Sequence, residues 1–207
     1  MRLELPSPDL REIERLLIET AVATFGQGDG IVRVEWSRLA DAAPELIATP
    51  RPIGQEAEVW RAARSKATHP GPEHRRNTKY VEVDAYDIAR KEAQDPAIDE
   101  VLLFDVDGWL VEGGRSNFLV VTKDGQISTP DPALGAVEGL GLTIALDSVP
   151  EIAVACLAYE DVITARELMS VNAVRGVVPI VELDGQEAFG GRPGVWARRL
   201  DVILGLG

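Results

Sequence analysis

The sequence predicts an α+β fold in which helices and strands are mixed within one large domain or two small subdomains. A chain of 207 residues, 45% of them apolar, is long enough to bury a sizeable core. Short apolar runs bounded by tight turns predict strands, and apolar residues repeating at helical spacing predict helices. The two kinds of element do not alternate strictly, so a mixed α/β arrangement is favoured over a doubly wound parallel sheet.

The first predicted elements are a helix and a strand, separated by a glycine turn. Ser7-Pro-Asp9 is a helix-start signal, and the segment Gly26–Gly30 ends the apolar pattern that follows it. Residues 31–36 are rich in β-branched types and alternate polar with apolar side chains, which predicts a strand. Residues 44–52 and 57–67 are weaker strand candidates. The helical pattern is formed by Leu10, Ile13, Leu16, Leu17 and Ala21.

A loop rich in proline and glycine, residues 68–76, marks the predicted boundary between two subdomains. We therefore predict a shortened N-terminal subdomain over residues 1–72 and a C-terminal, cofactor-binding subdomain over residues 73–207. The second begins with a helix-forming segment at residues 84–93, whose Ile88, Ala89 and Ala93 are expected to face inward.

The rest of the second subdomain reads as hairpins followed by alternating helices and strands. Four short strands are predicted at residues 100–104, 109–112, 117–122 and 126–129, with tight turns at 105–108 and 123–125. The elements predicted after them are a helix at 139–146, a buried strand at 151–157, a short helix at 159–166, a strand at 175–183 and an amphipathic helix at 194–204.

Composition excludes several classes of function. The 34 acidic residues outnumber the 21 basic ones, and the resulting net charge of −13 disfavours nucleic acid as a partner. Cys156 is the only cysteine, so neither an internal disulfide nor a cysteine-based zinc site can form, and no metal is expected. The sequence has no secretion signal and no apolar run long enough to cross a bilayer. We expect a cytoplasmic protein with no membrane partner.

Three short motifs are better explained as local structure than as binding sites. Asp105-Val-Asp-Gly108 lacks the further acidic positions of a calcium loop and predicts a hairpin turn. The glycines of Gly26–Gly30 follow a helix and precede a strand, the reverse of a dinucleotide-binding turn. His69 and His74 lie in the proline-rich loop and are interpreted as solvated histidines.

Lys79 and Glu112 are the residues whose surroundings allow chemistry. Lys79 lies in a short extended segment between a loop and a helix, where a partly desolvated amine could form a Schiff base with an aldehyde. Glu112 ends a strand before two glycines, where a carboxylate could be buried against a protonated ring nitrogen. From the local sequence alone, an exposed strand lysine and a surface glutamate remain the favoured interpretations.

Several blocks, taken together and in order, carry a resemblance to one family. The sequence resembles the class IV (fold-type IV) pyridoxal 5′-phosphate (PLP) enzymes, which include branched-chain and D-amino acid aminotransferases and aminodeoxychorismate lyase. The resemblance covers most of the chain from Asp9 onward and implies a D-amino acid aminotransferase-like fold. The blocks are Thr78-Lys79 with residues 88–93, residues 99–108, Val111-Glu-Gly-Gly-Arg-Ser-Asn-Phe118, Asp124-Gly with Thr129-Pro130, Gly139-Leu-Gly141, and residues 167–179.

The resemblance implies a role for each matching position. Lys79 matches the lysine that holds PLP as a Schiff base and moves the proton during catalysis, and Glu112 matches the acid that pairs with the pyridinium nitrogen. Asn117 lies in the same block and is expected to take part in cofactor binding. Two turns are expected to receive the phosphate, one at Gly139, Leu140 and Gly141 and the other at Asn172 and Ala173. Arg33 and Arg38 lie on the strand from which relatives bind the substrate carboxylate.

The resemblance also sets expectations about activity. It implies a homodimer that acts on an amino acid or an amino-deoxychorismate-like substrate, as an aminotransferase or a lyase, and the Asn172-Ala173 pair slightly favours the lyase branch. No residue matches the family's N-terminal phosphate-binding arginine, so we expect weaker cofactor retention and uncertain activity. The alternative is a shortened, catalytically weak or inactive relative that serves as a binding or interaction protein.

Overall fold

The computed structural model describes residues 6–38, 43–54, 57–72 and 83–204. Helices and strands are mixed, which confirms the predicted α+β class. The chain divides into two compact units, residues 1–56 and 57–207. The boundary that we predict between the two subdomains is a different one, after residue 72, and it stays a prediction.

The described part of the first unit contains one helix and one antiparallel pair of strands. Helix α1 spans Leu10–Phe25, and it begins where predicted because the Asp9 side chain accepts a hydrogen bond from the backbone N–H of Arg11 at 2.9 Å. Strands β1 (Ile31–Ser37) and β2 (Glu45–Arg51) pair antiparallel, with Val34 opposite Ala48. The weaker strand prediction at residues 44–52 is therefore confirmed.

The second unit is built on a mixed sheet. Its strands are β3 (Trp60–Thr68), β4 (Glu100–Phe104), β5 (Leu110–Gly113), β6 (Asn117–Val121), β7 (Ile127–Pro130), β8 (Ala153–Ala155), β9 (Glu167–Asn172), β10 (Gly176–Leu183) and β11 (Gln186–Glu187). Their order across the sheet is β5-β4-β3-β10-β9-β6-β7-β8, with β11 paired to β10. The pairs β3 with β4, β3 with β10 and β7 with β8 are parallel, and the other pairs are antiparallel.

In the described part of the second unit four α-helices accompany this sheet, and alternate residues along its strands fill separate cores. The helices are α2 (Asp84–Glu92), α3 (Leu140–Ser148), α4 (Tyr159–Ile163) and α5 (Val195–Leu204). On β6, Leu119 packs with α3 and α5, while the next residue, Val120, joins the core that contains α4. A third, smaller core lies between α2 and strand β4. The predicted amphipathic helix at the end of the chain is confirmed by buried Ala197, Leu200 and Leu204.

The predicted turn at residues 105–108 joins β4 to β5. The Asp105 side chain accepts hydrogen bonds from the backbone N–H groups of Asp107 (3.0 Å) and Trp109 (2.8 Å). Gly108 has a φ of +86°, a backbone conformation that side chains other than glycine's rarely adopt. These bonds lie entirely within the turn, which is why the short motif was enough to predict it.

Two expectations about buried faces are wrong in part. Ala89 is buried, as predicted, but Ile88 on α2 and Ala93 just after it are exposed, and the other buried residues of α2 are Ala85 and Tyr86. The predicted buried strand at residues 151–157 is the three-residue edge strand β8, and Cys156 after it is exposed. An edge strand has a neighbour on one side only, so its apolar composition did not ensure burial. Within the described ranges, no helix is both long and apolar enough to cross a membrane.

Candidate active site

Glu112 is a buried carboxylate of the second unit. It lies on β5 with a relative exposure of 3%, so the surface position favoured by its local sequence is wrong. The Tyr86 hydroxyl donates a hydrogen bond to Oε1, and the backbone N–H of Val137 donates to Oε2 at 3.0 Å. His69 Nε2 lies 3.3 Å from Oε1. Such donor contacts suit an ionised carboxylate, which can only accept hydrogen bonds.

His69 is part of this cluster and is not the solvated loop histidine that we expected. It follows β3 directly and is 3% exposed. Its Nδ1 accepts a hydrogen bond from the backbone N–H of Gly71 at 3.1 Å, so the ring proton is on Nε2. Nε2 lies 2.9 Å from the Tyr86 hydroxyl as well as close to Glu112. The expected exposure of His69 was wrong because the burial of a loop side chain depends on neighbours that are distant in sequence. His74 lies outside the described residues.

The backbone of Val137 connects the buried carboxylate to a glycine turn. Its N–H is bound by Glu112, and its C=O accepts a hydrogen bond from the Asn117 side-chain amide at 3.0 Å. Asn117 is itself buried, at the start of β6. Both polar groups of Val137 are therefore fixed two residues before Gly139. Because two residues of extended chain span at most about 7 Å, the turn is held close to the carboxylate.

The turn at Gly139, Leu140 and Gly141 begins helix α3. Gly139 is the N-cap residue and has no side chain with which to cap the first-turn N–H groups. A Cβ on Gly139 would collide with the Asn117 side chain, and one on Gly141 would lie 2.9 Å from the carbonyl carbon of Asn172. At Gly141 the obstacle is backbone, which favours glycine there, whereas at Gly139 it is a side chain that would have to shift. The free N–H groups with the positive end of the helix dipole suit an anion.

The second turn expected to bind phosphate lies against the first. Asn172 ends β9, and its side-chain oxygen accepts hydrogen bonds from the backbone N–H groups of Val174 and Arg175, both at 2.9 Å. This closes the turn that contains Ala173. The contact between Gly141 and Asn172 brings the two turns together, as the resemblance implies.

A second buried carboxylate supports the segment that follows Glu112. Glu100 on β4 accepts hydrogen bonds from the backbone N–H groups of Val101 (2.9 Å) and Gly114 (3.0 Å) and from the Ser116 hydroxyl (2.6 Å). Burial raises the pKa of this carboxyl, although the hydrogen bonds from Ser116 and Val101 act in the opposite direction. Glu100 therefore links β4 to the turn between β5 and β6.

A cavity of about 250 Å³ lies beside the Val137 segment. Residues from β6, from the loop before α3 and from α3 itself line it, among them Asn117, Val137, Gly139 and Thr143. The size is near the lower end of ordinary small-molecule sites. In the part of the chain that the structure describes, no group of three or more His, Cys, Asp or Glu residues could hold a metal ion.

The structure does not test the roles predicted for Lys79, Arg33 and Arg38. Lys79 lies outside the described residues. Arg33 is on β1, where it is half-exposed and forms an ion pair with Glu35 two residues along the same face. Arg38 is exposed just after β1. Both arginines belong to the first unit, and their role towards a substrate stays a prediction.

Sequence reasoning missed three partners of Glu112: the His69 ring, the Tyr86 hydroxyl and the Val137 N–H. They come from the end of β3, from α2 and from the loop before α3, so they are far from Glu112 in sequence. A signal was present for Tyr86, because a tyrosine within a helix next to small alanines is a good candidate for a buried face. Nothing local distinguished His69 or the Val137 backbone.

Comparison with known proteins shows which proteins the chain resembles. The sequence matches the class IV amino-transferase family over residues 1–183. Two curated relatives are a branched-chain-amino-acid aminotransferase of Pseudomonas aeruginosa and a probable one of Aquifex aeolicus. The first is 28% identical over 116 residues (55% of this chain, 38% of the relative), and the second is 24% identical over 177 residues (79% and 55%). The chain thus spans only about a third to a half of the length of the curated relatives it matches.

Solved structures show the same fold. One is a crystal structure described as a putative branched-chain amino acid aminotransferase from Thermotoga maritima, with a TM-score of 0.82 and 19% identity, covering 98% of this chain and 75% of that one. Another is the PLP form of the branched-chain aminotransferase from Thermobaculum terrenum, with a TM-score of 0.76 and 22% identity, covering 98% and 74%. The family match over most of the sequence, together with this fold, shows that the chain belongs to the class IV aminotransferases.

Proposed function

We propose that this chain is a PLP-dependent aminotransferase that acts on a small amino acid. Class IV aminotransferases use PLP, which agrees with the cofactor expected from the resemblance. The observation that carries the proposal is the linked arrangement of Glu112, Val137 and the glycine turn. A buried carboxylate and a helix N-terminus are held a short distance apart by the backbone of one residue, Val137.

The residues present fit the two charged ends of PLP. Glu112 has the negative charge that a protonated ring nitrogen requires, and the donors around it hold the carboxylate in one orientation. The adjoining turns at residues 139–141 and 172–173 offer backbone N–H groups to a phosphate. Asn117 supports the cofactor indirectly in this proposal, because its amide fixes the carbonyl of Val137.

The chemistry is divided between the cofactor and the chain. When bound, PLP supplies an aldehyde that condenses with amines and a protonated ring that accepts electron density. In our proposal Lys79 would hold the cofactor through its side-chain amine, and the same amine would carry a proton from the substrate Cα to the cofactor. The Glu112 carboxylate would accept a hydrogen bond from the ring nitrogen and so favour its protonated form. Arg33 or Arg38 binds the substrate carboxylate.

The names of the relatives support a substrate with an apolar side chain. The Pseudomonas aeruginosa and Aquifex aeolicus relatives are described as branched-chain-amino-acid aminotransferases, and we propose the same class of substrate here. The Asn172-Ala173 pair favours a second candidate, an aminodeoxychorismate lyase-like activity. A homodimer and a cytoplasmic location complete the proposal.

The test is an assay of the purified full chain with added PLP. We expect transfer of the amino group from leucine, isoleucine or valine to 2-oxoglutarate. Lys79→Ala should abolish turnover, whereas Lys66→Ala, at an exposed lysine on β3, should leave it unchanged. Glu112→Gln should bind PLP more weakly but still bind it at saturating concentration, and should lower kcat by about a hundredfold or more, because an electrostatic partner of the reaction is lost.

Other outcomes separate the alternatives. Release of pyruvate from aminodeoxychorismate without amino transfer would favour the lyase candidate. Saturable PLP binding without turnover of any of these substrates would favour the inactive relative that acts by binding. Equal activity in the Lys79→Ala variant and the unmodified protein would contradict the proposal.

A further inference from the structure

We infer that His69 is a positioning residue that holds Glu112 in place for the cofactor ring nitrogen. This inference rests on the proposed function and assigns a role to a residue that none of the matched motifs contains. It is drawn from a four-part cluster in which the end of β3, helix α2, strand β5 and the loop before α3 meet at one carboxylate.

The geometry around Glu112 Oε1 carries the inference. His69 Nε2 is 3.3 Å from this oxygen and 2.9 Å from the Tyr86 hydroxyl, which itself donates to the same oxygen. The His69 side chain has no exposed surface, and that of Glu112 is 4% exposed. An enclosed imidazole cannot reach a substrate, so His69 acts through Glu112 and is not a catalytic residue.

The position and the tautomer of His69 are both fixed by backbone groups. Its own N–H donates to the Phe104 carbonyl at 2.7 Å, and its Nδ1 accepts from the Gly71 N–H at 3.1 Å. Gly71 and Pro72 lie close to Gly135, because a Cβ added to Gly135 would be 2.7 Å from the backbone atoms of both residues. The loop that follows β3 is therefore packed against the loop that contributes Val137. With Nδ1 used as an acceptor, Nε2 presents its proton to Tyr86 and Glu112.

The expected consequence is a carboxylate that is oriented before the cofactor arrives. Tyr86 and His69 act on Oε1, and Val137 acts on Oε2, so rotation of the carboxylate would break contacts on both oxygens. A preorganised charge interacts more strongly with its target than one that must reorient. Loss of the Nε2 donor should therefore weaken the interaction with the ring nitrogen specifically, and leave the interaction with the phosphate unchanged.

Two substitutions separate the two nitrogens of His69. In His69→Gln the amide nitrogen lies near the place of Nε2, so the donor to the cluster is kept and the acceptor for Gly71 is lost. In His69→Asn the amide oxygen lies near the place of Nδ1, so the acceptor is kept and the donor is lost. Binding is measured by absorbance titration of the full chain with PLP and with its deaza analogue, in which carbon replaces the ring nitrogen.

We expect His69→Asn to weaken PLP binding by about tenfold, the scale of one hydrogen bond to a charged group, and to leave binding of the deaza analogue unchanged. His69→Gln should bind PLP within about threefold of the unmodified protein. Equal losses for both ligands, or a larger loss in His69→Gln than in His69→Asn, would overturn the positioning role. If the unmodified protein binds neither ligand, the proposed function fails instead.

A measurement on the unmodified protein does not depend on the variants folding. Ring-nitrogen NMR shifts of His69 without cofactor should show a protonated Nε2 and an unprotonated Nδ1. The opposite tautomer would remove the donor on which the inference rests and would overturn it, whatever the binding titrations give.

Discussion

At the scale of single residues, two buried glutamates have different roles in the candidate site. Glu112 is surrounded by donors at the point where the cofactor ring is expected, and Glu100 holds the turn that follows Glu112. A buried carboxylate with unmet hydrogen bonds would cost several kcal/mol, on the order of the desolvation penalty for a charged group. The partners named above offset that cost for both glutamates.

Glu100 gives a prediction about pH. Burial raises the pKa of its carboxyl above the ordinary value of 4.5, so the folded protein binds this proton more tightly than the unfolded chain does. The contribution of Glu100 to the free energy of unfolding is therefore fully present at low pH, and it decreases as the pH rises above about 4.5, the pKa of the unfolded state. The Glu100→Gln variant should lack this pH-dependent loss of stability.

The measurement is urea unfolding of both proteins between pH 4 and pH 8. The difference in unfolding free energy, Glu100→Gln minus the unmodified protein, should become more favourable to the variant as pH rises. A difference that is constant over this range would show that Glu100 has the same pKa in both states.

The same two positions show how far single residues could be predicted. The motif around Glu112 identified the residue, but its local sequence favoured exposure, because burial here comes from α2 and from the loop before α3. His69 was missed for the same reason. Its neighbours Pro70 and Gly71 are typical of a solvated loop, and only contacts with Tyr86 and Phe104, remote in sequence, bury it.

At the scale of elements, the close approach of α3 to the end of β9 positions both phosphate-side turns. Gly141 allows this approach, because a Cβ would lie 2.9 Å and 3.0 Å from the carbonyl carbon and oxygen of Asn172. Those atoms are backbone and cannot rotate away. The helix and the strand would have to separate if Gly141 acquired a side chain.

Gly141→Ala should therefore destabilise the protein and weaken PLP binding together. Overpacking of this kind costs about 1–3 kcal/mol, although alanine is otherwise favoured over glycine within helices. In a chain of this length each kcal/mol corresponds to roughly 2–4 °C in Tm. Gly54→Ala is the matched control, because a Cβ at Gly54 meets no atom within 4 Å. A Gly141→Ala variant with unchanged Tm and PLP affinity would show that the two turns can move apart without cost.

Elements were predicted well where their signals are local. The Asp9 cap, the 105–108 turn and the last helix each depend on neighbouring residues and were confirmed. The inward face of α2 was predicted only in part, with Ala89 buried and Ile88 exposed, because the apolar residues of a nine-residue helix lie on more than one side. Tyr86 decides the buried face there, through a hydroxyl whose partner lies on another element.

At the scale of the whole molecule, the acidic composition and the exposed apolar side chains are the main surface features. The net charge of −13 opposes non-specific association with other acidic molecules. Helix α1 nevertheless exposes apolar side chains at helical spacing, Leu10 at 77%, Ile18 at 57% and Val22 at 62%. None of the residues of α1 is buried. Exposed apolar side chains grouped on one helix make α1 a candidate interface.

We predict that the protein is a dimer, as the family resemblance implies. Multi-angle light scattering at micromolar concentration should give twice the chain mass of 22.4 kDa. Ile18→Glu, which places a charge within the exposed stripe of α1, should shift the dimer towards monomer if this stripe takes part. A stable monomer of the unmodified protein would contradict the prediction.

The central claim is that Lys79 and Glu112 bind PLP in one site, and reduction with borohydride followed by peptide mapping tests it most directly. The full chain is titrated with PLP, reduced, digested and analysed by mass spectrometry. The account predicts a single pyridoxyl group on Lys79, at stoichiometric labelling of the chain. Labelling of Lys66, Lys91 or Lys123 in its place, or no labelling at saturating PLP, would contradict it.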